Sequence, residues 1–323
     1  MNTGCLHDHY KWGWGNEWYR TPSSPTSKFQ ISLTSAGTNG SFYDESISAA
    51  IELAANSSKP FMVCLSGGLD SQVICLALME AKVPFVAFTM CWQHNGQMIN
   101  VDDVNYAIQF CRMHNIKHIL QDGDLENYLS GMGSRIAEQY CFQFYRLLTQ
   151  AFFANKFKDT HTVVLGNGNV IFDIWNNQLV VDIDPTIIQQ YLLENDIEGT
   201  AHFFSYTPEL ILSQLNNETC LAFINSYQSL YSAYAENSKT PYWSWRMFGS
   251  YVKPLIYQTN WDGLLHRSKH HGFETYDDSY WKKQIDFLGG KKFDGADNAI
   301  KLPAMELLDF LKLPKGTERI WSA

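Results

Sequence analysis

The chain has 323 residues, 45% hydrophobic and 15% aromatic, a globular composition long enough for one large or two modest cores. Its formal net charge of −9 disfavours nonspecific binding to nucleic acid or to an anionic membrane. Seven scattered cysteines with no Cys-x-x-Cys pair, apolar runs too short for a bilayer and no signal-peptide pattern fit a reduced, cytoplasmic setting.

Residues 1–41 read as an arm rich in Trp, Gly, Ser, Thr and Pro, with no sustained period. Its Tyr10, Trp12, Trp14, Trp18 and Tyr19 suit packing against a core. Cys5, His7, Asp8 and His9 are of metal-ligand type, but their tight terminal spacing argues against a site. Residues 42–56 have helical spacing, and Phe61-Met62-Val63-Cys64 is a short apolar strand leading into a glycine turn. A helix follows over 70–82, then strand 84–89, helix 101–114, strand 117–120, a long helical stretch over 134–157 and strand 161–165. Asp102 and Asp103 begin one of these helices and read as a cap. Strands alternating with helices predict an α/β fold with a doubly wound, mostly parallel sheet over about 42–184. Residues 170–174 and 179–183 read as a hairpin. Beyond Pro185 the pattern is mainly helical, at about 185–195, 208–216, 218–234, 243–252 and 303–312. Residues 185–323 are therefore expected to form a helical region covering the active site.

The chemistry concentrates at Ser66-Gly67-Gly68-Leu69-Asp70-Ser71, between the first strand of this unit and its helix. Two glycines let the backbone approach phosphate oxygens, and the following helix aims its free N–H groups at the same point. Ser66 and Ser71 add hydroxyls, and Asp70 adds a carboxylate able to hold the Mg²⁺ of a nucleotide. The Walker spacing, with its lysine, is absent.

This turn resembles the PP-loop, Ser-Gly-Gly-x-Asp-Ser, of the N-type ATP pyrophosphatases, and is most similar to the synthetase domain of asparagine synthetase. The resemblance implies an adenine nucleotide alpha hydrolase-like fold, ATP and Mg²⁺ as cofactors, and cleavage of ATP between its α and β phosphates. A second element, Leu165-Gly166-Asn167-Gly168-Asn169-Val170, follows the last parallel-type strand. It resembles the family's Ser-Gly-Glu-Gly-Ser-Asp-Glu turn, with Gly166 and Gly168 matching. The family's glutamate is replaced by Asn167 and its magnesium aspartate falls at Val170, leaving Asp173 as the substitute metal ligand. A late cation that screens pyrophosphate is assigned by resemblance to Lys253, with Arg246 nearby and Lys269 in reserve. Adenine contacts carry over to Leu65, Phe88 and Met90, and phosphate contacts to Ser66, Gly67, Gly68, Leu69, Ser71, Gly166, Asn167 and Gly168.

The expected activity is that of a Mg-ATP-dependent ligase that adenylates a carboxylate or amide-type oxygen of a small-molecule acceptor. Pyrophosphate leaves, and an amine or ammonia then displaces AMP. Too few residues precede the loop for a glutaminase, so nitrogen comes from free ammonia, a partner glutaminase or an amine on the substrate. The alternatives are a PP-loop enzyme that modifies a nucleobase or tRNA, and a nucleotide-binding protein that has lost turnover.

Overall fold

The computed structural model describes residues 9–14, 17–19, 28–34, 40–140, 145–167, 171–175, 178–183, 187–235, 252–266 and 300–322. Strands β1 (Tyr10–Trp14), β2 (Glu17–Tyr19) and β3 (Lys28–Thr34) precede helix α1 (Phe42–Ala55). The central unit continues with β4 (Phe61–Cys64), α2 (Leu69–Glu80), β5 (Phe85–His94), β6 (Gln97–Met98), α3 (Val101–Met113) and β7 (His118–Asp124). Next come α4 (Leu125–Tyr128), a π-helical turn at Leu129–Gly133, α5 (Ser134–Tyr140), α6 (Tyr145–Phe157) and β8 (Thr162–Val164). A hairpin of β9 (Ile171–Trp175) and β10 (Gln178–Ile183) leads to α7 (Ile187–Glu194), β11 (Gly199–Thr200), α8 (Pro208–Leu215) and α9 (Glu218–Ala235). The last elements are α10 (Lys253–Asn260), β12 (Ile300–Pro303), α11 (Ala304–Leu311) and β13 (Glu318–Ser322).

Five of the strands form a parallel sheet, β4 pairing with β5 and β8, β5 with β7, and β8 with β11. Counted by appearance among these five, the order is 3-2-1-4-5, with β4 first. The order reverses between β4 and β8, so the loops after those two strands flank the crevice where such sheets take ligands. β6 turns back antiparallel on the end of β5 through Asn95 and Gly96, both at positive φ.

Local chemistry explains the central elements. α1 starts with a capping box, in which Ser41 accepts from the Asp44 N–H and the Asp44 carboxylate accepts from the Ser41 N–H. β4 and β8 are short and almost wholly buried, as befits a sheet covered on both faces. In α2 every residue from Ser71 to Leu78 is buried, so the helix shows no apolar stripe. Each fully buried Val, Ile or Leu there contributes roughly 1.5–3 kcal/mol, well above any helix-propensity difference. Packing decides this helix. No described helix is long and apolar enough to cross a membrane.

Four features depart from the sequence reading. Residues 10–34 hold three strands where no period is legible, in a sheet ordered β13-β3-β1-β2 that pairs them with the strand at Glu318–Ser322. Tyr10 is buried there. The stretch after residue 185 is not purely helical, since β11 completes the central sheet and β12 extends the β9–β10 hairpin. The helical stretch at 134–157 is resolved as α5 and α6, with residues 141–144 outside the described part. Finally, α3 has Asn100 and not the aspartates at its N-cap; Asp102 and Asp103 lie in its first turn. Asn100 instead ties the start of α3 to β5, accepting from the Trp92 N–H and donating to the Met90 carbonyl, both at 2.8 Å. The helix expected at 243–252 falls outside the described residues apart from Val252, where α10 is about to begin.

Candidate active site

The chain leaves β4 at Leu65 and reverses direction through Ser66 and Gly67 before α2 begins. Gly67 has φ +73°, and a Cβ there would lie 2.3 Å from the Asp103 carbonyl oxygen. Both the dihedral and the close approach of α3 require glycine. Gly68 is the N-cap at φ −76°, an ordinary value, and has no side chain with which to cap the helix. The first N–H groups of α2 lack intrahelical partners by geometry and present an anion-favouring end.

Within the turn the two serines act on the backbone. The Ser71 hydroxyl accepts from the Ser66 N–H at 3.2 Å and donates to the Gly68 carbonyl at 3.0 Å. The Ser66 hydroxyl accepts from the Gly68 N–H at 3.4 Å and lies 3.4 Å from Ser71 Oγ. Gln72, fully buried, adds a clamp that the sequence does not advertise. Its amide donates to the Gly67 and Leu265 carbonyls at 2.9 Å each and accepts from the Leu265 N–H at 2.8 Å.

Asp70, in the first turn of α2, meets α10. Lys253 Nζ lies 2.8 Å from each carboxylate oxygen, and the Tyr257 hydroxyl donates to Oδ1 at 2.8 Å. Lys253 and Tyr257 are one helical turn apart, on the same face. The pair is only partly open to solvent, with the Lys253 side chain 14% and that of Asp70 33% exposed. Tyr257 is buried and stacks on Phe42 at 5.3 Å and Phe204 at 5.7 Å between ring centres. Burial, then the Asp70 charge and hydrogen bond, push the Tyr257 hydroxyl well above its ordinary pKa, so it keeps its proton and stays a donor. Sequence reasoning missed Tyr257, and its place four residues after Lys253 is the only signal that could have found it.

The second turn comes close to the first. A Cβ on Gly166 would lie 3.4 Å from Asp70 Cβ and 3.5 Å from the Ser71 nitrogen, so glycine lets the strand end abut the loop. Asn167 exchanges amide hydrogen bonds with Gln150 of α6, at 3.0 and 3.2 Å. Gly168, Val170, Arg246 and Lys269 fall outside the described residues, and Asp173 lies in β9 opposite Val180.

Of the residues assigned to adenine, Leu65 directly follows β4, whereas Phe88 and Met90 lie within β5. The Leu65 N–H donates to the Phe88 carbonyl, and the Leu65 carbonyl accepts from Thr89 Oγ1 at 2.6 Å. Since that hydroxyl spends its one proton on Leu65, His118 Nε2, 2.8 Å away, must be the donor to Thr89. Burial lowers the His118 pKa, consistent with a neutral ring carrying its proton on Nε2. Phe88 is packed against Phe153 and Phe157, and Met90 is buried.

Among the described residues no group of three or more His, Cys, Asp or Glu could hold a metal ion. A single carboxylate nevertheless suits Mg²⁺ bound with a nucleotide, because that ion keeps waters and takes its other ligands from phosphates. The donor set at Asp70 and the open end of α2 thus fit a magnesium-bound polyphosphate.

Residues 43–168, about two-fifths of the chain, match the family model described as Asparagine synthase. The matched segment carries the Ser-Gly-Gly-Leu-Asp-Ser loop at the switch point of a parallel sheet and is similar there to the PP-loop ATP pyrophosphatases, a superfamily of ATP-utilising enzymes. No curated protein sequence matches the chain. Among solved structures it is similar to an NH3-dependent NAD synthetase from Campylobacter jejuni at 10% identity and TM-score 0.33, covering 70% of this chain and 98% of that one. It is similar too to NMN synthetase from Francisella tularensis, at 14% identity and TM-score 0.32, covering 84% of this chain and 91% of that one. A U34-tRNA thiolase from Methanococcus maripaludis aligns at 14% identity and TM-score 0.31, covering 74% of this chain and 88% of that one. At these scores none of the three bears on function.

Proposed function

We propose that the protein is a Mg²⁺- and ATP-dependent adenylating ligase. The observation that supports this most is Asp70, at the open end of α2 and at the switch point of the sheet, with Lys253 on its carboxylate. In this reading the residue 66–71 turn and the first N–H groups of α2 receive the β and γ phosphates. Lys253 leaves Asp70 to screen the charge that develops on pyrophosphate. Magnesium, when bound through Asp70, neutralises phosphate charge. An acceptor oxygen attacks the α-phosphorus, the bond to the bridging oxygen of the β-phosphate breaks, and pyrophosphate departs with that electron pair. An amine nitrogen then attacks the activated carbon, AMP leaves with the C–O pair, and the nitrogen gives up a proton to solvent.

A second reading draws on Asn167. The amide pair it forms with Gln150 stands where the resembled family has an acid, which favours nucleotide binding without turnover. ATP–pyrophosphate exchange, screened against pools of amino acids, nucleosides and tRNA, separates the two. Exchange with at least one pool is expected, falling about 10²–10³-fold in Lys253→Ala, the usual loss when one electrostatic donor is removed. Asp70→Ala is expected to lose exchange as well. ATP binding without exchange in any pool would support the second reading, and absence of both would overturn the first.

A further inference from the structure

We infer that Tyr257 is a positioning residue that fixes the Asp70 carboxylate, so that Oδ2 is the oxygen offered to a divalent cation when Lys253 moves away. The inference rests on the magnesium-nucleotide reading of the loop. A carboxylate turns easily about its Cβ–Cγ bond, a broad two-fold torsion. In the present arrangement Lys253 spans both oxygens and Tyr257 adds a second donor at Oδ1. A cation arriving at Asp70 must displace Lys253 from an oxygen, and a phosphate offers the ammonium another anionic acceptor. The lysine's four-carbon stem lets it leave, while the tyrosine cannot follow. The Tyr257 ring lies nearly parallel to Phe42, at 7°, and to Phe204, at 18°, and is about 1% exposed. Those two rings come from the first residue of α1 and from the turn before α8, so two other parts of the chain hold the ring that carries this hydroxyl. The distribution of donors is therefore asymmetric: one oxygen has a fixed donor, the other only a mobile one.

The test is calorimetric titration of the full chain with ATP, once with Mg²⁺ and once with EDTA. Tyr257→Phe keeps the ring and both stacks and removes only the hydroxyl. Its affinity for metal-free ATP is expected to equal that of the wild type, while its affinity for Mg-ATP falls roughly ten-fold, as for loss of a hydrogen bond to a charged group. Equal affinity for Mg-ATP, or an equal loss with and without Mg²⁺, would overturn the positioning role. Should Tyr257→Phe not fold, Phe204→Leu loosens the ring while keeping the hydroxyl, and the same selective loss is expected. A wild-type chain whose ATP affinity does not respond to Mg²⁺ would instead sink the magnesium reading itself, and the positioning role with it.

Discussion

Two neighbouring glycines in the loop have different reasons to be there. Gly67 takes a left-handed φ and has a backbone oxygen where a side chain would begin, so Gly67→Ala combines a dihedral penalty with a backbone clash. We expect Gly67→Ala to lower stability by at least about 2 kcal/mol, read from the urea midpoint. At Gly68 the dihedral is ordinary and the nearest atom to an added Cβ is Ser66 Oγ at 3.4 Å, so Gly68→Ala should cost clearly less. Glu198 makes a second residue-scale prediction. It accepts hydrogen bonds from the Ser58 N–H and hydroxyl, the Lys59 N–H and Thr162 Oγ1, tying the start of β4 to β8. Burial alone would raise its pKa, but these hydrogen bonds outweigh burial and hold it below the ordinary value. A depressed folded-state pKa means the stabilisation is present above the unfolded value and is lost as pH falls through the folded one. Denaturation midpoints between pH 7 and pH 3 should therefore drop more steeply for the wild type than for Glu198→Gln, which starts lower at pH 7. Parallel pH profiles would refute this role.

At the scale of elements, α2 is where local pattern and long-range contact meet. Its glycine turn, strand and first acidic residue were readable because they lie within a dozen consecutive positions. Lys253 was reachable only by resemblance, and Tyr257 only through its spacing from Lys253, because each lies more than 180 residues from Asp70 and no local period encodes that distance. The same reason hides β1 to β3. Their aromatic stretches carry no alternation, and their pairing partner β13 comes 286 residues later at the Ser32–Glu318 contact. Gln72 illustrates how the elements are coupled, since one amide holds both the loop and the segment after α10. Gln72→Ala should speed hydrogen exchange at the Leu265 amide and at neighbouring amides of 261–266, with β4 and β5 unchanged. Unaltered exchange at Leu265 would mean that the clamp carries no local stability.

For the whole molecule, the alternation of strands and helices made the parallel sheet legible, but not its 3-2-1-4-5 order or its last strand. β11 has only two residues, Gly199 and Thr200, too few to leave a pattern, yet it completes the sheet beside β8. The hairpin at β9 and β10 was visible, whereas the third strand laid against it, β12, was not. The segment that matches the asparagine synthase model ends at residue 168, well before Lys253 and Tyr257 are reached. The long separation of the lysine from its aspartate has a consequence for synthesis. The loop is made 183 residues before Lys253, roughly 10–40 s earlier at ordinary rates of translation. During that interval a growing chain has Asp70 without its cation. The ion pair can close only on a chain extended past α10, which makes it a mark, placed at the site itself, that the whole parallel sheet has been synthesised.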